Sequence, residues 1–250
     1  MMDFNRFETF VINLDRSVDR WRQFEAAFTN SKLDNYCRIS GFVGSAFPDI
    51  VAKLITNMHH NLIGKGQLGC DISHISIMER IDKEELPNSL ILEDDIVPTG
   101  PIDNNFLSYH IPHDYDICFV NNRMIRGRLS EFGGERKVVP CLEAVAEFGP
   151  TDNAPGADGY FVSLNGARKL LKRFAHDGLG SFFDWRLIAY SVWQNEIDTL
   201  AKESTARAVL DILSRKDHWN DRLHSYVLVP PLIRNVASSS DILAENQKTL

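Results

Sequence analysis

Three consecutive carboxylates, Glu93, Asp94 and Asp95, follow the aliphatic run Leu90-Ile91-Leu92 and precede a Pro-Gly loop at 98–100. Carboxylates repel one another and resist burial, so such a cluster needs an opposite charge, a metal ion or a solvated turn. If the aliphatic run is a buried strand, the acids stand where the chain leaves the sheet, which is where ligands bind in α/β sheets. Side chains alternate along an extended chain, so Glu93 and Asp95 face one site while Asp94 turns aside. Hard oxygen donors of this kind suit Mg²⁺ or Mn²⁺, whose shells are usually completed by phosphates and water. A solvated acidic turn is the competing reading, and the buried strand before it favours the metal.

Two further acids sit in unusual company. Asp158 lies in "GADGY" and Asp184 in "FFDWR", among glycines or aromatics. A carboxylate there is costly unless it is hydrogen-bonded, paired or used, and a raised pKa is what a general base requires. The alternative for Asp184 is a cap on a helix beginning at Trp185. His74 falls mid-helix, roughly opposite an apolar stripe, where a hydrogen-bonded structural role is the commoner one. His59, His60, His218 and His224 lack metal-ligand spacing among themselves. "GKGQLG" (64–69) matches G-x-G-x-x-G, but no strand directly precedes it and no acid follows at the distance a dinucleotide site needs. Its glycines are read instead as freeing the start of a helix. Arg123, Arg126 and Arg128 form a local basic stretch compatible with a phosphate-bearing small molecule.

The elements that would position these residues alternate. "FETFVINL" (7–14) reads as a buried strand, followed by a helix with Val18, Trp21, Phe24 and Phe28 at helical spacing and Asp15 or Ser17 as cap. A second strand is expected at 36–44. A helix with Leu68, Ile72, Ile75 and Ile81 on one face is expected next, then the strand running into the acids. A helix near 103–109 and a strand at 115–122 follow. Residues 126–155 suggest long loops or short strands. The stretch 156–174 reads as a strand, a Ser163/Asn165 cap region and an amphipathic helix; 182–193 is aromatic and partly buried. A late strand spans 224–235, stopped by Pro230-Pro231. Strands alternating with helices predict one α/β domain with a largely parallel sheet, spanning 1–236, and a loosely held tail at 237–250.

Composition narrows the partners. The 250 residues carry a formal net charge of −7, with 44% hydrophobic and 24% charged residues. That balance is ordinary for a globular chain and argues against nucleic acid, which wants clustered Lys and Arg. Four separated cysteines without a C-x-x-C pair predict reduced thiols in a cytoplasmic protein. The first residues do not read as a signal peptide, and no stretch approaches the ~20 apolar residues of a membrane span. Contact with a membrane would therefore be peripheral.

Five segments carry a resemblance: "FVINLDRSVDRWRQF", "GQLGCDISHISIMERI", "LILEDDI", "GADGYFVSLNGARKLL" and "FFDWRL". In order and spacing they resemble glycosyltransferase family 25, the family of bacterial lipooligosaccharide galactosyltransferases and collagen galactosyltransferases. The resemblance runs from about residue 8 to 235. It implies a GT-A-like fold with a nucleotide-binding sheet, a UDP-sugar donor (usually UDP-galactose), a divalent cation and inversion at the anomeric carbon. It implies that Asp95, with Glu93, holds Mn²⁺ or Mg²⁺, and that Asp94 lies beside the diphosphate. Asn13, Leu14, Asp15, Arg16 and Arg20 match the nucleotide end of the first strand. Gly69, Ser73 and His74 match a G-C-x-x-S-H helix near the donor. Gly156, Asp158 and Gly159 fall where the sugar and acceptor pocket is shaped, and Asp184 where an acid follows the helix. Relatives often read T-G-A-Y at the first glycine segment, so Asp158 is an added carboxylate here. The chain also ends soon after "PPLIRN", without the long basic tail of some relatives.

The chemistry implied is transfer of a hexose, most readily galactose, to a saccharide or glycolipid hydroxyl in lipopolysaccharide, lipooligosaccharide or other surface glycan synthesis. Asp184 is preferred to Asp158 as the base, and arginines (Arg16, Arg20 or the 123–128 group) would supply a second positive partner for the leaving diphosphate. The rivals are a family member that binds nucleotide without transferring sugar and a metal-dependent phosphohydrolase using the same carboxylates.

Overall fold

The computed structural model describes residues 7–33, 35–49, 51, 64–102, 111–125, 136–148, 156–179, 182–191 and 222–236. The expected helix near 103–109, the tail at 237–250, Arg126, Arg128, His59, His60 and His218 lie outside the described residues. In chain order the elements are β1 (Glu8–Asn13), α1 (Val18–Phe28), β2 (Cys37–Ser40), α2 (Lys65–Lys83), β3 (Asn88–Glu93), β4 (Ile96–Pro98), β5 (Ile117–Phe119), β6 (Lys137–Pro140), α3 (Cys141–Phe148), β7 (Gly159–Ser163), α4 (Leu164–Asp177), α5 (Phe183–Ala189), β8 (Ser225–Val229) and β9 (Ile233–Asn235). Seven strands make one sheet in the order β2-β1-β3-β7-β5-β8-β6, and β4 pairs with β9 apart from it.

The α/β class with helices flanking a single large sheet is as expected. The pairing is more mixed than the largely parallel sheet predicted. β1 runs parallel to β2 and β3, and β5 to β8, whereas β7 is antiparallel to β3 and β5, and β6 to β8. The reason lies in burial. β3, β5 and β7 are covered on both faces, so each reads as an unbroken apolar run whichever way it points. The direction of β7 matters to the site: its first residues meet the last residues of β3, and the Glu93 N–H donates to the Asp158 carbonyl at 3.0 Å.

The two sheet faces carry separate cores, sorted by the two-residue alternation of strands. Val11, Leu90, Leu92 and Phe161 face α1, whose Phe24 and Phe28 stack at 4.3 Å between ring centroids. Phe10, Ile91, Tyr160 and Val162 face α2, α4 and α5 through Ile77, Met78, Leu170 and Phe183. α2 departs from the simple stripe read in the sequence. Leu68 and Ile81 are buried, but Ile72 and Ile75 are only half so, and the polar Asp71, Ser73 and His74 are buried in their place.

Some local expectations shift. Ser163 caps α4 by accepting from the Gly166 N–H at 3.0 Å. Ser17 stands at the N-cap of α1 without a side-chain cap bond, and Asp15 instead accepts from Ser40 Oγ at 2.9 Å. Within 126–155, α3 is a helix that weak periodicity concealed. The late strand is two: β8 ends at a cis Val229–Pro230 bond, and β9 turns back to pair with β4, in what was read as a plain Pro-Gly loop. That second pairing fixes the acidic exit, because the Val236 N–H donates to the Asp95 carbonyl at 2.9 Å.

Of the glycines at 64–69, expected to free the start of a helix, Gly69 serves close packing. A Cβ on Gly69 would stand 2.4 Å from the Phe42 carbonyl and 2.7 Å from the Gly44 nitrogen, both backbone atoms. The start of α2 thus lies directly against the turn after β2. Gly69→Ala should overpack this contact by about 1–3 kcal/mol, lowering the melting temperature by several degrees. A melting curve superimposable on wild type would show that the turn yields freely.

Candidate active site

A cleft of about 590 Å³, open to solvent, lies at the carboxyl ends of β1 and β3. Its walls include Asn13, Leu14, Arg20, Phe42, Cys70, His74 and all three residues of the acidic run. Parallel pairing of β1 with β3 brings their ends level, so the nucleotide segment and the acidic run expected from sequence meet in one place.

Asn13 ties that edge together. It is buried, donates from Nδ2 to Asp94 Oδ2 and to the Ser17 carbonyl at 3.2 Å, and accepts at Oδ1 from Arg38 Nε at 2.9 Å. Asp94 accepts from Arg20 on its other oxygen and lines the same cleft as Glu93 and Asp95, so it does not turn aside as simple alternation predicts. Burial pushes the Asp94 carboxyl up, and Arg20 and Asn13 offset this only in part. Arg20 also reaches Asp95 Oδ2 at 3.5 Å. Asp95 Oδ1 is buried and makes no hydrogen bond among the described residues. Burial, then repulsion from Glu93, raises the Asp95 pKa to about 7.

Glu93 has different company. Its Oε1 lies 3.2 Å from His74 Nε2, and His74 Nδ1 lies 2.9 Å from the Tyr160 hydroxyl. The imidazole is wholly buried and stacks on Phe183 at 4.4 Å. Burial pushes the Glu93 carboxyl up, but His74, Arg123 and Arg20 together outweigh it, and the net shift is downward. Glu93 is therefore the member of the run whose ionised form its surroundings favour.

Beyond Glu93 lies a second acidic layer. Asp158 has no exposed surface and pairs with Arg123 (Nε–Oδ2 3.4 Å). Gly156 makes room for that pair, since a Cβ there would fall 1.7 Å from Asp158 Oδ1 and 2.3 Å from Arg123 Cδ. Asp184 is half-buried in the first turn of α5, with Oδ1 accepting from the Trp185 N–H at 2.9 Å. The helix begins at Phe183 after an N-cap at Phe182, so Asp184 does not cap it. Asp71, fully buried on α2, accepts from Gln67 at 2.8 Å. Burial is the main cause of raised pKa values at Asp158 (about 6), Asp184 (about 7) and Asp71 (about 8).

These shifts fix a sign for the metal-free protein. Unfolded, the four acids Asp71, Asp95, Asp158 and Asp184 lose their protons near pH 4; folded, they keep them to between about pH 6 and pH 8. The folded chain binds more protons in that window, so the stability they contribute is full below pH 4 and is lost as pH rises through the folded values. The melting temperature in chelator should fall between about pH 5.5 and pH 8. A flat or rising profile would mean these carboxyls are already ionised at the acid end.

Several expected residues are engaged otherwise. Ser73 lines the cleft but is occupied: its hydroxyl donates to the Gly69 carbonyl at 2.7 Å and accepts from the Phe42 N–H at 2.8 Å. Asp15 and Arg16 are exposed, and Asp15 faces β2 through Ser40 and Arg38. Gly159 packs against β9, where a Cβ would meet Ile233 Cδ1 at 2.1 Å. His74, for which helical position suggests a structural role and the family resemblance a place near the donor, lines the cleft beside Glu93. Phe42, Cys70, Asp71 and Tyr160 escaped sequence reasoning. Only Cys70 left a signal there, its four-residue spacing from His74.

The family profile described as "Glycosyltransferase family 25 (LPS biosynthesis protein)" matches residues 7–178, more than half of the chain. The chain belongs to glycosyltransferase family 25. Among curated family 25 relatives, "Procollagen galactosyltransferase 1" of Danio rerio is 29% identical over 180 residues, covering 66% of this chain and 28% of that protein. "Glycosyltransferase 25 family member" of Drosophila pseudoobscura pseudoobscura is 27% identical over 177 residues, covering 65% and 26%. The chain thus spans little more than a quarter of the length of either. Two solved structures resemble it loosely. One is a glycosyltransferase involved in the glycosylation of the major capsid of PBCV-1 (TM-score 0.40, 9% identity, 97% of this chain and 98% of that one). The other is mouse xyloside xylosyltransferase 1 (TM-score 0.40, 10% identity, 93% and 98%). Among the described residues of this family 25 chain, no helix is long and apolar enough to cross a membrane.

Proposed function

We propose that the cleft binds a UDP-sugar with Mn²⁺ or Mg²⁺, and that the chain transfers the sugar, galactose foremost, with inversion to a saccharide hydroxyl. The setting would be synthesis of lipopolysaccharide, lipooligosaccharide or another surface glycan in the cytoplasm, with peripheral contact to the membrane that carries a glycolipid acceptor. The family description and the name of the Danio rerio relative support the glycan and the galactose. The observation that carries the reading is Asp95. Its Oδ1 is buried and makes no hydrogen bond among the described residues, at a strand end beside Glu93, whose ionised form is favoured. Such oxygens fit a hard divalent cation, which when bound would neutralise charge developing on the departing diphosphate.

The remaining work falls to the chain's own groups. Asn13 and Arg20 hold Asp94, and Arg20 reaches across to Asp95. That leaves its guanidinium in the cleft wall, ready to exchange a carboxylate for a diphosphate oxygen. As the bond from the anomeric carbon to the diphosphate breaks, the acceptor oxygen bonds to that carbon from the opposite face. Its proton passes to Asp184, whose Oδ1 is fixed by the Trp185 N–H and whose pKa of about 7 suits a base near neutrality. Asp158 is less suited, having no exposed surface and Arg123 as its partner.

Arg20→Ala should weaken donor binding about 10- to 100-fold, the worth of a charge-assisted hydrogen bond. An unchanged KM for the donor would remove Arg20 from that role. The test of the function is incubation with UDP-galactose or UDP-glucose, Mn²⁺ and a panel of saccharides, with UDP and product followed by mass spectrometry. Acceptor-dependent UDP release, abolished by chelator, is expected from UDP-galactose. Free sugar released without an acceptor would make the chain a hydrolase, and no consumption of either donor would overturn the reading.

A further inference from the structure

We infer that Cys70, His74 and Glu93 form a second cation site, suited to a borderline-soft metal such as Zn²⁺, that shares Glu93 with the proposed diphosphate cation. Cys70 and His74 stand four residues apart on α2, and so on one face of the helix, one turn from each other. The end of β3 brings Glu93 up to that face. Glu93 Oε1 lies 3.2 Å from His74 Nε2 and 3.9 Å from Cys70 Sγ, and the three donor atoms lie within 4.8 Å of one another. A tetrahedral zinc with bonds of 2.0–2.3 Å holds its donors roughly 3.3–3.7 Å apart, so small movements would seat the ion.

The surroundings match what such a site needs. A metal-bound histidine usually has its other ring nitrogen fixed by a hydrogen bond. His74 Nδ1 has the Tyr160 hydroxyl at 2.9 Å, and Phe183 stacks on the ring. Thiolate and imidazole select zinc over magnesium, in contrast to the all-oxygen pair of Glu93 and Asp95. All three side chains also line the cleft, so the fourth position faces it and is open to water or a substrate oxygen. On binding, the Cys70 thiol gives its proton to solvent and the sulfur bonds the metal. The His74 Nε2 position is cleared by moving the proton to Nδ1, where the Tyr160 oxygen accepts it.

Cobalt(II) reports this directly, because a thiolate bound to it gives a near-ultraviolet charge-transfer band that oxygen ligands do not. The full chain, kept reduced under argon, is titrated with Co²⁺ and then with Zn²⁺. The band is expected at one equivalent, with Zn²⁺ displacing it. It should vanish in Cys70→Ser and persist in Cys37→Ser, whose sulfur is outside the cluster. Near-ultraviolet circular dichroism confirms that each variant is folded, and His74→Gln provides an independent loss of at least about tenfold in cobalt affinity. No band in the wild type, or an equal band in Cys70→Ser, overturns the site. Stabilisation by UDP with Mn²⁺ is measured on the same samples. Its absence would count against the transferase reading while leaving the cobalt band untouched, so the two failures are distinguishable.

Discussion

Asp95→Asn should cut the rate of sugar transfer by at least 10²–10³-fold, the usual cost of removing one group that stabilises developing charge, and should abolish the cation dependence of UDP binding. The side chains have the same shape, so lost packing cannot explain such an effect. What changes is the charge on a carboxylate held against burial and against repulsion from Glu93. The same substitution should raise the stability of the metal-free protein near pH 8, since the neutral amide is spared the cost of ionising there. Function and stability therefore move in opposite directions, as they do where a site is built at the expense of the fold. Transfer assays and melting curves on one preparation check both signs. A variant that lost stability and activity together would point to a structural role for Asp95.

Asp184→Asn carries the second large effect. Transfer should fall about 10²–10⁴-fold, the range for a positioned general base, while UDP binding with Mn²⁺ is unchanged. The asparagine oxygen still accepts from the Trp185 N–H, so α5 should keep its first turn. Asp158→Asn is the necessary comparison. It takes a charge from the partner of Arg123 in a fully buried position, and should lower the melting temperature more than it lowers turnover. If Asp158→Asn silences transfer and Asp184→Asn does not, the roles are reversed.

Sequence patterns revealed much of this arrangement, for identifiable reasons. The strand 89–95 and its acids were legible because a buried aliphatic run ending in three carboxylates admits few explanations. Asn13 and Arg20 were legible through resemblance; the parallel register of β1 with β3 explains why Asn13 meets Asp94, and Arg20 reaches it from the first turn of α1. His74 was legible only through the resemblance, because helical periodicity alone suggests one apolar stripe. α2 is in fact buried on most of its faces, and its polar residues turn toward the site. The reversal of β7, which carries Asp158 to Glu93, left no trace in a strand covered on both faces. β9 was hidden behind Pro230 and Pro231, although Val236, directly after it, anchors the backbone of Asp95. What the sequence concealed was chain direction and long-range pairing; what it disclosed was chemistry at strand ends.

Thermal melting of the full chain with UDP, in the presence and absence of Mn²⁺, tests the nucleotide-sugar cleft most directly. A ligand at 100 times its dissociation constant adds about 2.7 kcal/mol to the folded state, or roughly 5–10 °C for a chain of this size. A nucleotide-sugar cleft closed by a cation should give a rise of that order with UDP and Mn²⁺ together, largely lost with chelator and in Asp95→Asn. An equal rise without the cation, or none under any condition, would contradict it.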